Sequence, residues 1–534
     1  MRFEHFRFPS RRSNVLARHG LVATSQPLAA QAGLTVLKEG GNAIDAAIAT
    51  VATLCVVEPT STGVGGDAFA LIWSAADQTL YGLNASGPAP AALTAELVRR
   101  RGHKEMPFRG PLTVTVPGSL RGWKAALERF GSRSLAQLLA QPIAYARDGF
   151  PVSQRIARAW ARSESLMKEH DASRRVWTPA PRPGQLFHNP DFASTLQALA
   201  GDGVDVFYAG PIGQQIAATV QQAGGVLTED DLRAYAAEWV EPIASEYGPE
   251  ARFYELPPNG QGLTALLAFN IAAGFQLDQL DFDDPQRWHI LIEAMKLAFA
   301  DAAAYIADPR QVDVPVADLL SQAYTDRRRQ RLDREHARLP APGRPSRHGE
   351  TVYLSVADEA GNMVSWIQSL YAGFGSGLTA GSTGVQLQNR GANFVLDDDH
   401  PNQVAPGKRP YHTIIPGFII RAGRPWASFG VMGGFMQPQG HLQVGLNLLD
   451  LGMDPQAALD APRFRWLDGR RVALEAHAPP PLRAALQERG HELLPLAETA
   501  QTHFGGGQVI VRDPDSGVLI GGSEPRNDGA AVGW

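Results

Sequence analysis

Residues 339–350 read LPAPGRPSRHGE, and residues 351–358 continue as TVYLSVAD. The first stretch holds three prolines and two glycines and has no apolar periodicity, which predicts an exposed connector. The second stretch alternates and is rich in β-forming residues. A turn at Glu359–Asn362 and a second strand at Met363–Leu370 complete a predicted hairpin. The chain therefore passes from a connector directly into a strand whose first residue is Thr351.

A threonine in this position can be a nucleophile if the chain is cut between Glu350 and Thr351. The threonine hydroxyl would then attack, and its own freed α-amine would act as the base. Such an amine has a pKa of about 7.7–8.0, near the working pH, as general-base catalysis requires. On this pattern alone an ordinary strand residue is the simpler interpretation, because many strands begin with threonine after a loop.

The rest of the chain predicts a mixture of helices and strands. A glycine loop, Thr62–Phe69, follows a buried helix that Asn42 can cap. The run Arg327–Arg334 is interpreted as a solvated helix face. The predicted strands are Leu21–Thr24 and Phe69–Trp73, and the predicted strand-and-turn segments include His412–Ile420 and Gln508–Val511. The predicted helices are Pro27–Glu39, Asp45–Val57, Leu120–Phe130, Leu135–Asp148 and His289–Ile306.

Composition narrows the class of protein. The 534 residues are 44% hydrophobic and 19% charged, with a net charge of −5, so neither nucleic acid nor an anionic membrane is an expected partner. The one cysteine, Cys55, lies in an apolar run and is predicted to pack in the core. With no secretory signal pattern and no long apolar span, we expect a cytoplasmic location. The oligomeric state is not encoded in these patterns.

Segments along nearly the whole chain resemble the γ-glutamyltransferase (glutathione hydrolase) family of N-terminal-nucleophile hydrolases. The segments are Ser25-Gln-Pro-Leu-Ala29, Gly40-Gly-Asn-Ala-Ile-Asp-Ala-Ala47, Val57-Glu-Pro59, Gly63-Val-Gly-Gly-Asp67, Val116-Pro-Gly-Ser119, Glu293-Ala-Met-Lys-Leu-Ala-Phe-Ala-Asp301, Thr351-Val-Tyr-Leu-Ser-Val-Ala-Asp358, Phe374-Gly-Ser-Gly377, Lys408-Arg-Pro410, Gly433-Gly434 and Pro525-Arg-Asn-Asp-Gly-Ala-Ala-Val-Gly533. They occur in one order, which makes the resemblance far more specific than any single motif.

The resemblance implies an α+β fold, the four-layer αββα sandwich, and a proenzyme that cuts itself between Glu350 and Thr351. Residues 1–350, ending in the linker 339–350, would form the large subunit and residues 351–534 the small one, together as one αββα domain. Thr351 matches the nucleophile, and Ser369 matches a threonine whose hydroxyl contacts the nucleophile's amine. Gly433 and Gly434 match the paired glycines of the oxyanion hole, with a tight turn as the alternative.

The substrate pocket departs from the family pattern. Ser86 stands where the family has an arginine for the substrate's α-carboxylate, and Asn393 stands where it has an aspartate for the α-amine. Losing that aspartate disfavours an acyl group that carries an ammonium, and losing the arginine removes a bidentate carboxylate clamp. Arg390 offers a replacement charge or is a surface arginine. The other predicted substrate-binding positions are Tyr371, His412 and Thr413.

The predicted function is a self-processing γ-glutamyltransferase-like hydrolase that forms an acyl-enzyme and passes the acyl group to water or an amine. Alternatives are an acylase for glutaryl-type amides, an oxamate amidohydrolase, and an unprocessed homologue that binds a small metabolite. The expected partners are a small-molecule amide and the two subunits of one precursor. No cofactor and no metal are expected, since Asp397-Asp-Asp-His400 is more simply an acidic turn and His348 a linker residue.

Overall fold

Two seven-stranded antiparallel sheets dominate the fold. The computed structural model describes residues 12–339, 349–495 and 503–534. In spatial order the first sheet contains Ala530–Gly533, Gly20–Thr24, Glu350–Asp358, Met363–Tyr371, Asp67–Ser74, Thr79–Ala85 and Glu238–Val240. The second sheet contains Val15–Ala17, Leu519–Ser523, Gly506–Arg512, Arg424–Met432, Gly417–Arg421, Ala251–Glu255 and Ile243–Tyr247. Smaller sheets are formed by Phe464–Asp468, Arg471–Leu474 and Glu492–Pro495, and by Phe150–Pro151 and Leu186–Phe187.

Helices cover the outer face of each sheet. Those on the side of the first sheet are Pro27–Lys38, Ala43–Val57, Ser119–Phe130, Leu135–Asp148, Gln154–Met167, Asp171–Trp177, Pro190–Asp202, Asp205–Ala209, Pro211–Gln222 and Glu229–Arg233. The helix Ala95–Arg100 packs in a small separate core with Phe394 and Leu396. Those on the side of the second sheet are Gly262–Ala272, Pro285–Tyr305, Val316–Leu319, Gln322–Arg329, Gln437–Leu449, Pro455–Asp460 and Pro480–Glu488. Short 3-10 turns occur at Pro111–Thr113, Ala273–Phe275, Leu277–Gln279, Arg390–Asn393 and Gly434–Met436.

The central hairpin shows how the layers arise. Along Glu350–Asp358, Val352, Leu354 and Val356 pack in the core beneath the helices, whereas Tyr353 and Ala357 pack in the core between the sheets. Successive side chains of a strand point to opposite faces, so a strand that is buried on both faces contributes side chains to two hydrophobic cores. The α+β fold, with two antiparallel sheets between helical layers, confirms the fold that the resemblance implies.

Most predicted elements are confirmed to within a few residues. Asn42 caps its helix through a capping box, and Cys55 is buried in the core, as predicted. Within the predicted strand-and-turn segment His412–Ile420, the strand is confined to Gly417–Arg421, since Pro416 before it has no N–H to donate to a ladder.

The basic run is also different from its prediction. The helix there ends at Arg329, and Arg328 is buried in an ion pair with Asp301 (2.9 Å) instead of facing solvent. Most of the predicted connector, residues 340–348 including His348, lies outside the described residues. None of the described helices is long and apolar enough to cross a membrane.

Candidate active site

Thr351 and Ser369 lie side by side at one end of the central hairpin. Thr351 lies two residues from Tyr353, and Ser369 lies two residues from Ile367, and these two neighbours face the second sheet. Because alternate side chains of a strand point to the same face, those of Thr351 and Ser369 also point between the sheets. Thr351 is 3% exposed, and its Oγ1 donates to Ser369 Oγ (3.3 Å). Ser369 Oγ in turn donates to the carbonyl oxygen of Glu350 (2.8 Å). One hydroxyl group therefore touches the Thr351 side chain and the carbonyl of the preceding peptide bond.

Gly433 faces Thr351 from the second sheet. It follows the strand Arg424–Met432 and has φ of +126°, a conformation that favours glycine. Gly433 and Thr351 line one cavity of about 110 Å³, together with Gly505, Gly506 and Asn527. Gly434 begins the turn that leads into the helix Gln437–Leu449, and its carbonyl accepts a hydrogen bond from Gln261 Nε2 (2.9 Å).

Two carboxyl groups line the same cavity. Burial raises the pKa of Glu58 to about 8, although Ser25 Oγ donates to its Oε2 (2.6 Å). Burial also raises the pKa of Glu350, against the opposing charges of Arg162 and Arg109. Glu350 and Arg162 line a neighbouring cavity of about 480 Å³ as well. The peptide bond between Glu350 and Thr351 thus lies beside the buried carboxyl group of Glu58 and the half-buried one of Glu350, with Arg162 lining the same cavity.

A larger cavity of about 870 Å³ lies behind Tyr371. Its walls include two of the predicted substrate-binding residues, Tyr371 and Asn393, and the aromatic side chains of Phe299, Tyr411 and Phe435. Tyr411 and Phe435 stack with their ring centroids 5.8 Å apart. The volume and the aromatic walls are typical of a pocket for a small organic molecule.

Comparison with known proteins identifies the family. A model of the γ-glutamyltranspeptidase family matches residues 29–534. The chain belongs to the γ-glutamyltranspeptidase family. It is similar to the glutathione hydrolase-like YwrD proenzyme of Bacillus subtilis, with 36% identity over 97% of this chain and 99% of that protein. It is equally similar to the oxamate amidohydrolase proenzyme of Klebsiella pneumoniae, with 36% identity over 98% and 100% of the two chains.

A solved structure shows the same fold. The cephalosporin acylase from Bacillus halodurans superposes with a TM-score of 0.94 and 47% identity, over 99% of this chain and 98% of that chain. The resemblance drawn from the sequence is therefore confirmed. This member of the γ-glutamyltranspeptidase family is an N-terminal-nucleophile hydrolase by descent, and the two sheets with their flanking helices are the fold of that class.

Ser86, which the sequence resemblance aligns with an arginine of the family, is fully buried. Its Oγ donates to Asn84 Oδ1 (2.7 Å), and Asn259 Nδ2 donates to the same Oγ (3.3 Å). Asn393 lies on the wall of the large cavity, and its Nδ2 donates to the carbonyl of Tyr411 (3.1 Å). Both positions are therefore uncharged, where the resemblance leads us to expect an arginine and an aspartate.

His412, Thr413 and Arg390 form a fully buried polar cluster with Asp67. Asp67 Oδ1 accepts from Gln388 Nε2 (3.0 Å) and from two backbone N–H groups, and its Oδ2 lies 3.1 Å from His412 Nε2. Burial raises the pKa of Asp67 to about 7 and holds the pKa of His412 well below its ordinary value. Arg390 Nη1 donates to Thr413 Oγ1 (2.7 Å). The alternative of a surface arginine is wrong, because Arg390 is 0% exposed.

Sequence reasoning missed several residues of the site. Glu58 and Asp67 were quoted as part of the family pattern, but no role was drawn from them. The available signal was the position of each carboxylate beside an apolar helix or strand, where an acid must find a partner or a proton. Asn527 was missed in the same way within the closing segment, and Arg162 has no motif around it.

One group of possible metal ligands lies outside this site. Among the described residues, His289, Glu293 and His491 have ligand atoms within 4.8 Å of one another. His289 Nδ1 and His491 Nε2 are 2.8 Å apart in a hydrogen bond, and Lys296 Nζ donates to Glu293 (2.6 Å). The ammonium group already balances the carboxylate, which disfavours a cation there. At the acidic turn, Arg99 pairs with Asp398 (2.8 Å).

Proposed function

We propose that this chain is a proenzyme that cuts itself between Glu350 and Thr351 and then hydrolyses amides of small acyl groups other than γ-glutamyl. The observation that carries the proposal is the position of Ser369 Oγ, which accepts from Thr351 Oγ1 and donates to the Glu350 carbonyl. This carbonyl is polarised and next to a hydroxyl nucleophile. The names of two relatives, the glutathione hydrolase-like YwrD proenzyme and the oxamate amidohydrolase proenzyme, support the proposal that this chain is also cut.

Maturation follows from this arrangement. Thr351 Oγ bonds to the carbonyl carbon of Glu350, the C–N bond breaks, and the hydroxyl proton passes to the nitrogen. Water then cleaves the resulting ester, which leaves Glu350 with a carboxylate and Thr351 with a free α-amine. The products are a large subunit of 350 residues and a small one of 184, the difference from 534. The amine is then available as the base for Thr351.

The catalytic cycle repeats the same chemistry on a substrate. Thr351 Oγ attacks the amide carbonyl, the amine leaves with a proton, and the acyl-enzyme ester is released by water or by an amine acceptor. The backbone N–H groups at Gly433 and Gly434 are the proposed donors to the oxyanion. A donor of this kind is worth roughly 2.7–4 kcal/mol of transition-state stabilisation.

The substrate is proposed from the rebuilt pocket. Ser86 is engaged with Asn84 and Asn259, and Asn393 is neutral, so neither holds the α-carboxylate or the α-amine of a γ-glutamyl group. The large cavity behind Tyr371 has the volume and the aromatic walls to take a small acyl group. Relatives called cephalosporin acylase and oxamate amidohydrolase are consistent with an acyl group of that kind.

Two measurements test the proposal. Purified protein should separate into two fragments on a denaturing gel, with Thr351 as the new N-terminus, and Thr351→Ala should stay intact. The cut protein should hydrolyse glutaryl-p-nitroanilide faster than γ-glutamyl-p-nitroanilide, with oxamate as the third substrate. An uncut wild-type chain that binds small acids without turnover would instead support a non-catalytic metabolite-binding protein. Preference for γ-glutamyl would overturn the substrate assignment alone.

A further inference from the structure

Arg390 is a fully buried cation with unused hydrogen-bonding capacity. Its Nη1 donates to Thr413, but its Nε and Nη2 have no hydrogen-bond partner among the described residues. These two nitrogens form the side of the guanidinium that binds a carboxylate through two parallel hydrogen bonds. Buried N–H groups without hydrogen-bond partners are rare and costly, so two of them on the same edge of one guanidinium need an explanation.

The nearby carboxylate does not fill this edge. Asp67 is the buried acid whose charge acts on Arg390, yet its Oδ1 is used by Gln388, Gly87 and Gly118. Its Oδ2 is held by His412. Burial lowers the pKa of Arg390 only to about 10, so the guanidinium stays charged at neutral pH. Among the residues that the structure describes, no carboxylate therefore binds the Nε–Nη2 edge of this cation.

Tyr371 separates Arg390 from the large cavity. The Arg390 Cζ lies 4.6 Å from the centroid of the Tyr371 ring, and Tyr371 is itself a wall of that cavity. Tyr371 has φ of +80°, a strained value for a residue with a side chain. Its backbone pairs with Glu350, and a Cβ on Gly349 would lie 3.2 Å from its ring carbons. The uncut chain thus holds Tyr371 in place over Arg390.

We propose that Arg390 binds a carboxylate at the far end of the substrate's acyl group, and that the uncut chain keeps this site closed through Tyr371. Departure of Gly349 and Glu350 after cleavage releases the tyrosine ring and opens the path from Thr351 to Arg390. The substrate class is then a mono-amide of a short dicarboxylic acid. This inference rests on the proposed function, which it makes more specific.

The spacing limits the length of the acyl chain. Ser369, which touches Thr351, and Tyr371, which covers Arg390, are two residues apart on one strand, a rise of about 6.6 Å. A succinyl or glutaryl chain spans a distance of that order, whereas an oxalyl group is too short. The neutral Asn393 beside the pocket provides no anionic partner for an α-ammonium, so glutaryl fits better than glutamyl.

Turnover of two matched substrates provides the first test. Glutaryl-p-nitroanilide and pentanoyl-p-nitroanilide have the same chain length but differ in the terminal carboxylate. Arg390→Gln should lower kcat/KM for the glutaryl substrate roughly 10- to 150-fold, the range for hydrogen bonds to a charged group. Turnover of the pentanoyl substrate should change less than about threefold, and Arg390→Lys should fall between the two. The exposed Arg424→Gln is the matched control and should change neither value.

The outcome that overturns the inference is an equal loss on both substrates in both Arg390 variants, which would indicate a structural role. Binding of glutarate tests the site without turnover. Glutarate should raise the Tm of the cut wild-type protein but not of Arg390→Gln, nor of uncut Thr351→Ala. Equal stabilisation of all three, or of none, refutes the carboxylate site even if acyl anilides are hydrolysed. Stabilisation of the wild type together with an absence of all turnover would refute the proposed function instead.

Discussion

Replacing Ser369 by alanine removes the hydroxyl group that contacts both sides of the proposed cleavage site. In the uncut chain this hydroxyl donates to the Glu350 carbonyl at 2.8 Å and accepts from Thr351 Oγ1 at 3.3 Å and from the Tyr371 N–H at 2.7 Å. The donated bond strengthens as the carbonyl oxygen becomes an oxyanion. The variant should therefore cut itself more slowly than the wild type.

The magnitude follows from the bonds that are lost. Loss of one oxyanion donor costs about 2.7–4 kcal/mol in the barrier, or roughly 10²- to 10³-fold in rate. The buried Tyr371 N–H also loses its acceptor, which should lower the free energy of unfolding by about 1–3 kcal/mol. The uncut variant should thus remain folded, because a domain of this kind is stable by more than that amount.

The assay is the time course of fragment formation after purification, followed on denaturing gels with N-terminal sequencing of the small fragment. Ser369→Thr is the matched control, since it keeps the hydroxyl group, and its rate should stay within about tenfold of the wild type. Ser369→Ala that cuts at the wild-type rate, with Thr351 still the new N-terminus, would refute the reasoning. Another group would then have to polarise the Glu350 carbonyl.

Three further predictions concern other parts of the structure. Glu58 keeps its proton in the folded state up to about pH 8, whereas the unfolded chain releases it near 4.5, so the free energy of unfolding falls as the pH rises between these values. In uncut Thr351→Ala, adding Glu58→Gln should reduce that fall by a few kcal/mol in denaturant titrations, and an identical pH dependence would contradict it. Gly433→Ala places a Cβ 3.1 Å from Gly505 Cα, at a backbone φ of +126° that disfavours a side chain. Turnover should therefore fall more than about tenfold, while the melting temperature falls only modestly. An unchanged kcat/KM would contradict this prediction. Lys296→Met leaves the buried Glu293 without its ion-pair partner at 2.6 Å and should lower the free energy of unfolding by about 3–5 kcal/mol. The double variant Lys296→Met/Glu293→Gln should recover most of that loss. Equal losses in the single and the double variant would show that the pair does not act as a unit.

The sequence was most informative where local rules and long-range packing agree. The hairpin around Glu359–Asn362 was predicted because both strands alternate and the turn residues fit. The buried helix Ala43–Val57 was predicted because it is apolar on nearly every side and Asn42 caps it. Only the second half of the predicted strand-and-turn segment His412–Ile420 is a strand, because Pro416 interrupts it and His412 is a buried partner of Asp67. Composition alone does not distinguish these two uses of an apolar segment.

The active site could be predicted from the sequence only in part, for a different reason. The nearness of Thr351 and Ser369 follows from hairpin register, a local property, although their roles came from the family resemblance. By contrast, Arg390 reaches Thr413 and Tyr371 through loops, and no periodicity of the sequence predicts such a meeting. The burial of Arg390 was also hidden, since an arginine in a polar, glycine-containing segment is usually exposed.

The two parts of the site rest on different kinds of structure, which explains how one can change while the other is kept. Thr351 and Gly433 stand at the ends of facing central strands, where packing is tight: a Cβ on Gly430 would lie 2.4 Å from the ring of Tyr353. In residues 372–413, all of which the structure describes, there is no regular strand, and this segment carries Arg390, Asn393 and Thr413. Loops held on a rigid scaffold tolerate substitution better than the scaffold does. Tyr371 is where the two parts meet, because it pairs with Glu350 on one side and covers Arg390 on the other. In the proposed mechanism, a tyrosine at this position connects cleavage of the chain to the shape of the pocket, so maturation and acyl selectivity share one residue.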